Sequence, residues 1–244
     1  MTEGAPDTVV PVIAIDGPGG SGKGTISRQV AAALGWHLLD SGALYRLVGL
    51  DAVARGIDPA DGERVAELAR HLDARFDPAV EDGTVLLRGR DVSEKIRTEA
   101  AGVAASRVAA QPPVRAALVE RQRGFRKAPG LVADGRDMGS VIFADATLKI
   151  FLTASVAERA LRRYKQLKGK GIDVSLSALS EDMAERDRRD AERSVAPLTA
   201  CPDARILDTT ALSIEVVVAQ VLGWAAEVYP SAVGAGSPAR DQSQ

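Results

Sequence analysis

Short apolar runs alternate along this chain with amphipathic stretches, and the alternation predicts most of its elements. Val12-Ile13-Ala14-Ile15, closed by Asp16, reads as a buried strand. Ile26, Val30, Ala33 and Leu34 then recur at i, i+4, i+7 and i+8, one face of a helix, and Gly35 stands where a glycine would end it. Trp36-His37-Leu38-Leu39 is a second short strand that ends at Asp40-Ser41-Gly42. Ser41 is placed to cap a helix carrying Leu44, Leu47, Val48 and Val53, which stops near Arg55-Gly56. From about Asp61 the texture changes. A short helix (Val65, Leu68, Ala69, Leu72) precedes Arg75-Phe76-Asp77. Glu81-Asp82-Gly83 and Gly89-Arg90-Asp91 then bracket Thr84-Val85-Leu86-Leu87-Arg88, the punctuation of a local antiparallel hairpin. An alanine-rich helix from about Thr98 ends before Pro112-Pro113, and those prolines open another helix with Arg115, Leu118, Arg121 and Phe125.

Beyond it the first pattern resumes. Leu131-Val132-Ala133-Asp134 is a strand running into Gly135-Arg136-Asp137-Met138-Gly139. Thr147-Leu148-Lys149-Ile150-Phe151-Leu152 is another, and Ser155 with Glu158 forms a capping box for a helix dense in arginine and lysine from Arg159 to Lys170. A long charged helix spans roughly Ser175 to Ser194, placing Arg186, Asp190 and Arg193 on one face at i, i+4 and i+7. Arg205-Ile206-Leu207-Asp208 is a last strand, and Ser213 to Val228 a last helix with Val217, Val218, Val221, Leu222 and Ala225 inward. Strands that alternate with helices predict a parallel sheet of five strands covered on both faces, with ligands at the strands' C-terminal ends. Residues 61–110 read as a small α+β insert in that α/β core, and residues 1–8 and 230–244 as disordered tails.

Composition narrows the class only slightly. Of 244 residues 45% are apolar, enough for a sizeable core, and 31 basic against 33 acidic residues give a net charge of −2. No bulk basic field for nucleic acid exists, so any anion site is local. Met1 to Asp7 has no apolar core of a signal peptide, and no run approaches the ~18 apolar residues of a membrane span. One cysteine, Cys201, cannot pair internally, which fits a reducing cytoplasm. His37 and His71, each without a catalytic partner in sight, read as structural.

The chemistry gathers at Gly17-Pro18-Gly19-Gly20-Ser21-Gly22-Lys23-Gly24-Thr25, between the first strand and the first helix. Glycines let consecutive backbone N–H groups close on phosphate oxygens, the helix N-terminus adds partial positive charge, and Lys23 adds a full one. The usual hydroxyl directly after the lysine is replaced by Gly24, with Thr25 one residue later. A metal is therefore expected to be held by phosphates and water, with no ligand set of protein side chains. Asp16 and Asp134, at strand ends, either orient metal-bound water or brace loops.

In these residues the chain resembles the bacterial cytidylate kinases, nucleoside monophosphate kinases of the P-loop class. The likeness rests on Ile15-Asp16-Gly17-Pro18 with Gly22-Lys23-Gly24-Thr25, and on Leu39-Asp40-Ser41-Gly42-Ala43 with Tyr45-Arg46. It continues in Asp134-Gly135-Arg136-Asp137-Met138-Gly139, Glu185-Arg186-Asp187 and Ala196-Pro197-Leu198, and covers nearly all of residues 9–228. The resemblance implies a P-loop kinase core in residues 9–60 and 111–229, a helical lid at about 158–195, and a monophosphate-binding insert at 61–110.

It also implies roles. Gly17, Pro18, Gly19, Gly20, Ser21, Gly22, Lys23, Gly24 and Thr25 would cradle ATP, with Arg159, Arg162 and Arg163 in the lid. Ser41, Arg115 and Asp137 would touch the cytosine ring, Ser106, Arg186 and Asp190 the ribose, and Arg46, Arg136 and Arg193 the acceptor phosphate. Lys23, Arg136, Arg162 and Arg193 would carry catalysis. The expected reaction is ATP-dependent, Mg²⁺-assisted phosphorylation of CMP and dCMP by a cytoplasmic monomer that needs neither nucleic acid nor membrane. A kinase for another small acceptor such as UMP, or a P-loop nucleotide-binding regulator, are the alternatives.

Overall fold

The computed structural model describes residues 9–77 and 84–230. The expectations for the tails at 1–8 and 231–244, and for the turn at Glu81-Asp82-Gly83, lie outside the described residues. Strands β1 (Val12–Asp16), β2 (His37–Asp40), β6 (Leu131–Gly135), β7 (Leu148–Thr153) and β8 (Arg205–Asp208) form one sheet in the order β2-β6-β1-β7-β8. Every pairing in it is parallel. Successive β1 residues face opposite layers, as strand geometry demands. Ile13 and Ile15 pack with α1 (Lys23–Leu34) and α8 (Ile214–Val228). Val12 and Ala14 join the cluster built on α2 (Ser41–Ala54) and α5 (Pro112–Arg123).

The segment 61–110 contributes α3 (Gly62–Arg70), α4 (Glu99–Ala109) and an antiparallel sheet of β3 (Ala74–Asp77), β4 (Thr84–Leu87) and β5 (Arg90–Asp91). It shares its core with the main layer: Val65, Leu68, Val85 and Leu87 belong to the same apolar cluster as Leu44, Leu47 and Leu118. Helices α6 (Val156–Gly169) and α7 (Leu176–Ala191) lean on each other over a separate small core of Ala160, Leu167 and Leu179. Among the described residues no helix is long and apolar enough to cross a membrane.

Three local readings are corrected. Asp40, not Ser41, caps α2, its Oδ1 accepting from the Ala43 N–H at 2.8 Å, because the turn at the end of β2 puts the carboxylate over the first free N–H groups. Val53, placed on the inward face of that helix, is 58% exposed. Helix α7 ends at Ala191, so Arg193 lies past its last turn rather than on the face of Arg186 and Asp190. A π-helical turn at Met138–Ile142 follows β6, which the apolar pattern does not announce.

Candidate active site

The C-terminal ends of β1, β2 and β6 meet at one edge of the sheet, and the glycine loop rises there from β1. Gly17 has to be glycine: a Cβ on it would stand 2.0 Å from Leu152 O. Gly22, the N-cap of α1, is left-handed at φ 89° and directs the loop into the helix. Lys23 is buried and donates from Nζ to Pro18 O at 3.0 Å; Ser21 Oγ donates to the same carbonyl at 3.1 Å. Burial, followed by the charge of Arg136, pushes the Lys23 ammonium down to about 7. Thr25 is exposed.

The two strand-end carboxylates divide their work. Asp16 accepts from the Met138 and Gly139 N–H groups at 2.8 and 2.9 Å, so it braces the π-helical turn, and burial pushes its carboxyl up to about 6. The Asp134 carboxylate takes part in no hydrogen bond among the described residues. Burial pushes it up to about 7 against the opposing pull of Lys23. Its Oδ2 would lie 3.3 Å from a Cβ on Gly24, so the residue after the lysine must be small to admit the carboxylate. Among the described residues no three His, Cys, Asp or Glu side chains converge as a metal cage.

Across the loop stands a crowd of arginines. A Cβ on Gly19 would be 3.5 Å from Arg136 Nη2 and 3.7 Å from the Arg186 guanidinium carbon. Arg136 donates from Nε to Asp190 Oδ2 at 2.9 Å, so Asp190 turns to a neighbouring element and not to Arg186 on its own helix. Arg193 donates to the Asp190 carbonyl at 3.2 Å. Buried Arg186 Nε, Arg193 Nη2 and Ser106 Oγ have no partner. Burial and then Arg136 push Arg186 down to about 10. Arg46, half-buried on α2, makes no hydrogen bond among the described residues and adds its charge to Arg186. Buried donors without acceptors cost free energy. Arg186 and Arg193 each feel the charges of Arg136 and Asp190, so these cations form one cluster, which suits an anion.

Beside it lies a buried polar group. Arg115 and Asp137, both buried, are ion-paired, and the Arg115 guanidinium sits 5.6 Å above the Tyr45 ring. Ser41 Oγ donates to Gln122 Oε1 at 2.7 Å. Burial pushes the Tyr45 hydroxyl up to about 12.

The three arginines expected in a lid diverge. Arg159 is a buried brace: it donates to Gly19 O at 2.8 Å and pairs with Asp187 of α7, tying the glycine loop to α6 and α7. Arg162 donates to Glu158 and to Thr209 O, with Nη1 3.9 Å from a Cβ on Gly22. It helps line a cavity of about 490 Å³ with Ser21, Gly22, Ile26, Thr209 and Leu212. Arg163 is turned away, held by Glu99 at the start of α4. The sequence reading assigned no site role to Gln122, Tyr45, Thr209 or Asp187. Tyr45 and Asp187 stood in the quoted motifs, and Gln122 shares the buried stripe of Val114, Arg115 and Leu118 at helical spacing; Thr209 had no signal.

The family model for cytidylate kinase matches residues 13–227. The chain is 57% identical over 217 residues to a cytidylate kinase of Pseudomonas aeruginosa (strain UCBPP-PA14), covering 87% of this chain and 94% of that protein. It is 56% identical over 221 residues to a cytidylate kinase of Stutzerimonas stutzeri (strain A1501), covering 89% and 96%. Among solved structures it is similar to a gluconokinase from Sinorhizobium meliloti 1021, at 17% identity and a TM-score of 0.46 over 91% of this chain and 95% of that one. With a glycine loop at the end of β1, a cluster of arginines opposite it and a family match that runs through both, the chain belongs to the cytidylate kinase family.

Proposed function

We propose that the chain transfers the terminal phosphoryl group of ATP to CMP and dCMP. The observation that carries the reading is the set of buried, unpartnered donors on Arg186, Arg193 and Ser106, with Arg186 close to Gly19 of the loop and Arg193 within the charge field of Arg115 and Asp137. A nucleoside monophosphate supplies what each lacks: phosphate oxygens for Arg193, ribose oxygens for Arg186 and Ser106, and a polar ring edge for the Ser41, Arg115 and Asp137 group. Gly17 to Thr25 hold the donor phosphates, with Lys23 between donor and acceptor. Arg46, Arg136 and Arg193 hold the acceptor phosphate, while Arg186, Asp190 and Ser106 meet the ribose. Arg159 holds the loop itself, Arg162 borders the donor side, and Arg163 reaches the donor only once its contact with Glu99 opens. Phosphoryl transfer asks for in-line positioning and for neutralised charge on the moving group, and Lys23 facing several arginines provides both.

Mg²⁺ would accompany ATP, with Asp134 the carboxylate available to orient its water, and would supply charge neutralisation. Both half-sites come from one chain, which supports a monomer, and its substrates are those of the cytoplasm. The test is ADP formation with a panel of nucleoside monophosphates. We expect turnover that depends on CMP or dCMP and is far weaker with UMP. A slow ATPase indifferent to CMP would identify a regulator instead, and preferred use of UMP a different kinase.

A further inference from the structure

Gln122 makes the hydrogen bond that fixes the polarity of Ser41. Its side chain is 1% exposed. Nε2 donates to Leu118 O at 3.3 Å, one turn back on α5. A backbone carbonyl only accepts, so the nitrogen of the amide must face it and Oε1 must face Ser41. Oε1 lies 2.7 Å from Ser41 Oγ and is an acceptor, so the single proton of the hydroxyl is committed to it. What Ser41 then offers to a bound ring is lone pairs alone. Asp137, the other oxygen donor set of this pocket, is itself tied to Arg115 and likewise presents an acceptor.

We infer that Gln122 is a specificity-determining positioning residue, which acts through Ser41 by turning its hydroxyl into an obligate acceptor for an exocyclic amine. The inference rests on the proposed reading of the pocket as the cytosine site. An amino group on the ring finds two acceptors. A carbonyl oxygen at the same place finds lone pairs against lone pairs, and no rotation of Ser41 relieves it while Gln122 holds the proton. Without Gln122 the hydroxyl is free to rotate and donate to a carbonyl, so the pocket loses its bias. Tyr45, whose hydroxyl also meets the Gln122 amide, closes the same network from α2.

The test replaces Gln122 by methionine, which keeps length and apolar fit but accepts no such bond, and measures kcat/KM for CMP and UMP. The ratio of CMP to UMP should fall at least about fivefold, the size of one neutral hydrogen bond, with KM for ATP unchanged. In a Ser41→Ala background the same substitution should leave the ratio within about twofold, because Gln122 acts only through that hydroxyl. Gln122→Glu, which restores an acceptor, should recover the preference. A ratio within twofold of wild type for Gln122→Met, in protein with an unchanged melting temperature, overturns the inference. So does an equal fall in the Ser41→Ala background. If Gln122→Met unfolds, the Gln122→Glu variant decides: loss of the CMP preference in folded Gln122→Glu protein overturns the inference, and its retention supports it. Wild-type protein that fails to prefer CMP over UMP would instead remove the reading of the pocket on which this rests.

Discussion

At the residue scale the loop lysine is held in an uncomfortable state. Lys23 is buried, spends a proton on its own loop's Pro18 carbonyl, and is pushed down to about 7. Arriving phosphates reverse both burdens, so much of the charge's value is realised on the nucleotide. Lys23→Ala should keep the fold and cut turnover by hundreds-fold or more, the equivalent of ~3–4 kcal/mol of preorganised charge. Turnover within about threefold of wild type in a steady-state assay would remove Lys23 from the reaction.

Asp16 gives a second residue-level expectation. Its carboxyl is raised in the fold from 3.8 to about 6, so its contribution to stability is full below pH 3.8 and is lost as pH rises through 6. Asp16→Asn lacks that loss while sacrificing one accepted bond at every pH. Relative to wild type the variant should therefore gain on the order of 1–2 kcal/mol between about pH 4 and 7 in denaturant unfolding. A constant difference across that range would show that Asp16 titrates as it does in the unfolded chain. The two residues also differ in legibility. A lysine among glycines is visible in any linear reading, whereas Asp16's service to Met138 and Gly139 spans 122 and 123 positions and leaves no local mark.

At the scale of elements, the buried strands and the glycine-flanked helices were readable because periodicity and punctuation agree there. The π-helical turn at Met138–Ile142 was not, since its bonds are set by Asp16 from another strand. Helix ends were equally opaque: Arg193 continues the charge pattern of α7 but lies beyond its last turn. Another element contact is invisible in sequence. Asp51 of α2 is 4% exposed and receives Arg88 bidentately at 3.0 and 2.8 Å, and Arg55 at 3.1 Å. Arg88 sits at φ 52°, a costly left-handed position for a non-glycine residue, beside the hairpin of the 61–110 segment.

The pair therefore clamps that hairpin to the helix bearing Ser41, Tyr45 and Arg46. Arg88→Ala and Asp51→Asn should each destabilise by ~1–3 kcal/mol and raise KM for CMP more than KM for ATP. In a double-mutant cycle their effects should be coupled by about 1 kcal/mol or more. Additive effects would mean that apolar burial of Val85 and Leu87 alone holds the hairpin.

At the scale of the whole molecule, a net charge of −2 conceals a strong local imbalance. Arg136, Arg186, Arg193 and Arg46 come from the turn after β6, α7, the turn after α7, and α2, and among the described residues Asp190 is the carboxylate hydrogen-bonded within the group. Burial first, and then repulsion from Arg136 and Arg46, lower Arg186 to about 10, so the elements that carry these cations are held together partly against repulsion. A phosphate dianion held by Arg46, Arg136 and Arg193, with Arg186 beside it on the ribose, offsets the repulsion and should draw α7 and α2 together. CMP at about a hundred times its Kd would then add ~2.7 kcal/mol to stability. For a chain of this size that is a rise in melting temperature of roughly 5–10 °C. Cytidine, which fills the ring pocket but has no phosphate, should give under about a third of that shift at equal concentration.

Arg186→Met separates the cost of this cluster from its use. Removing a desolvated cation that has no partner for its Nε should raise the melting temperature of the ligand-free protein by about 2–4 °C, the equivalent of ~1 kcal/mol, while abolishing most of the CMP-induced shift. Scanning calorimetry with and without CMP reads both. If the variant melts below wild type without ligand, the aliphatic stem of Arg186 packs more than its charge repels. If cytidine matches CMP, the arginine cluster does not hold the acceptor phosphate, and the donor-side loop must take up both phosphate groups.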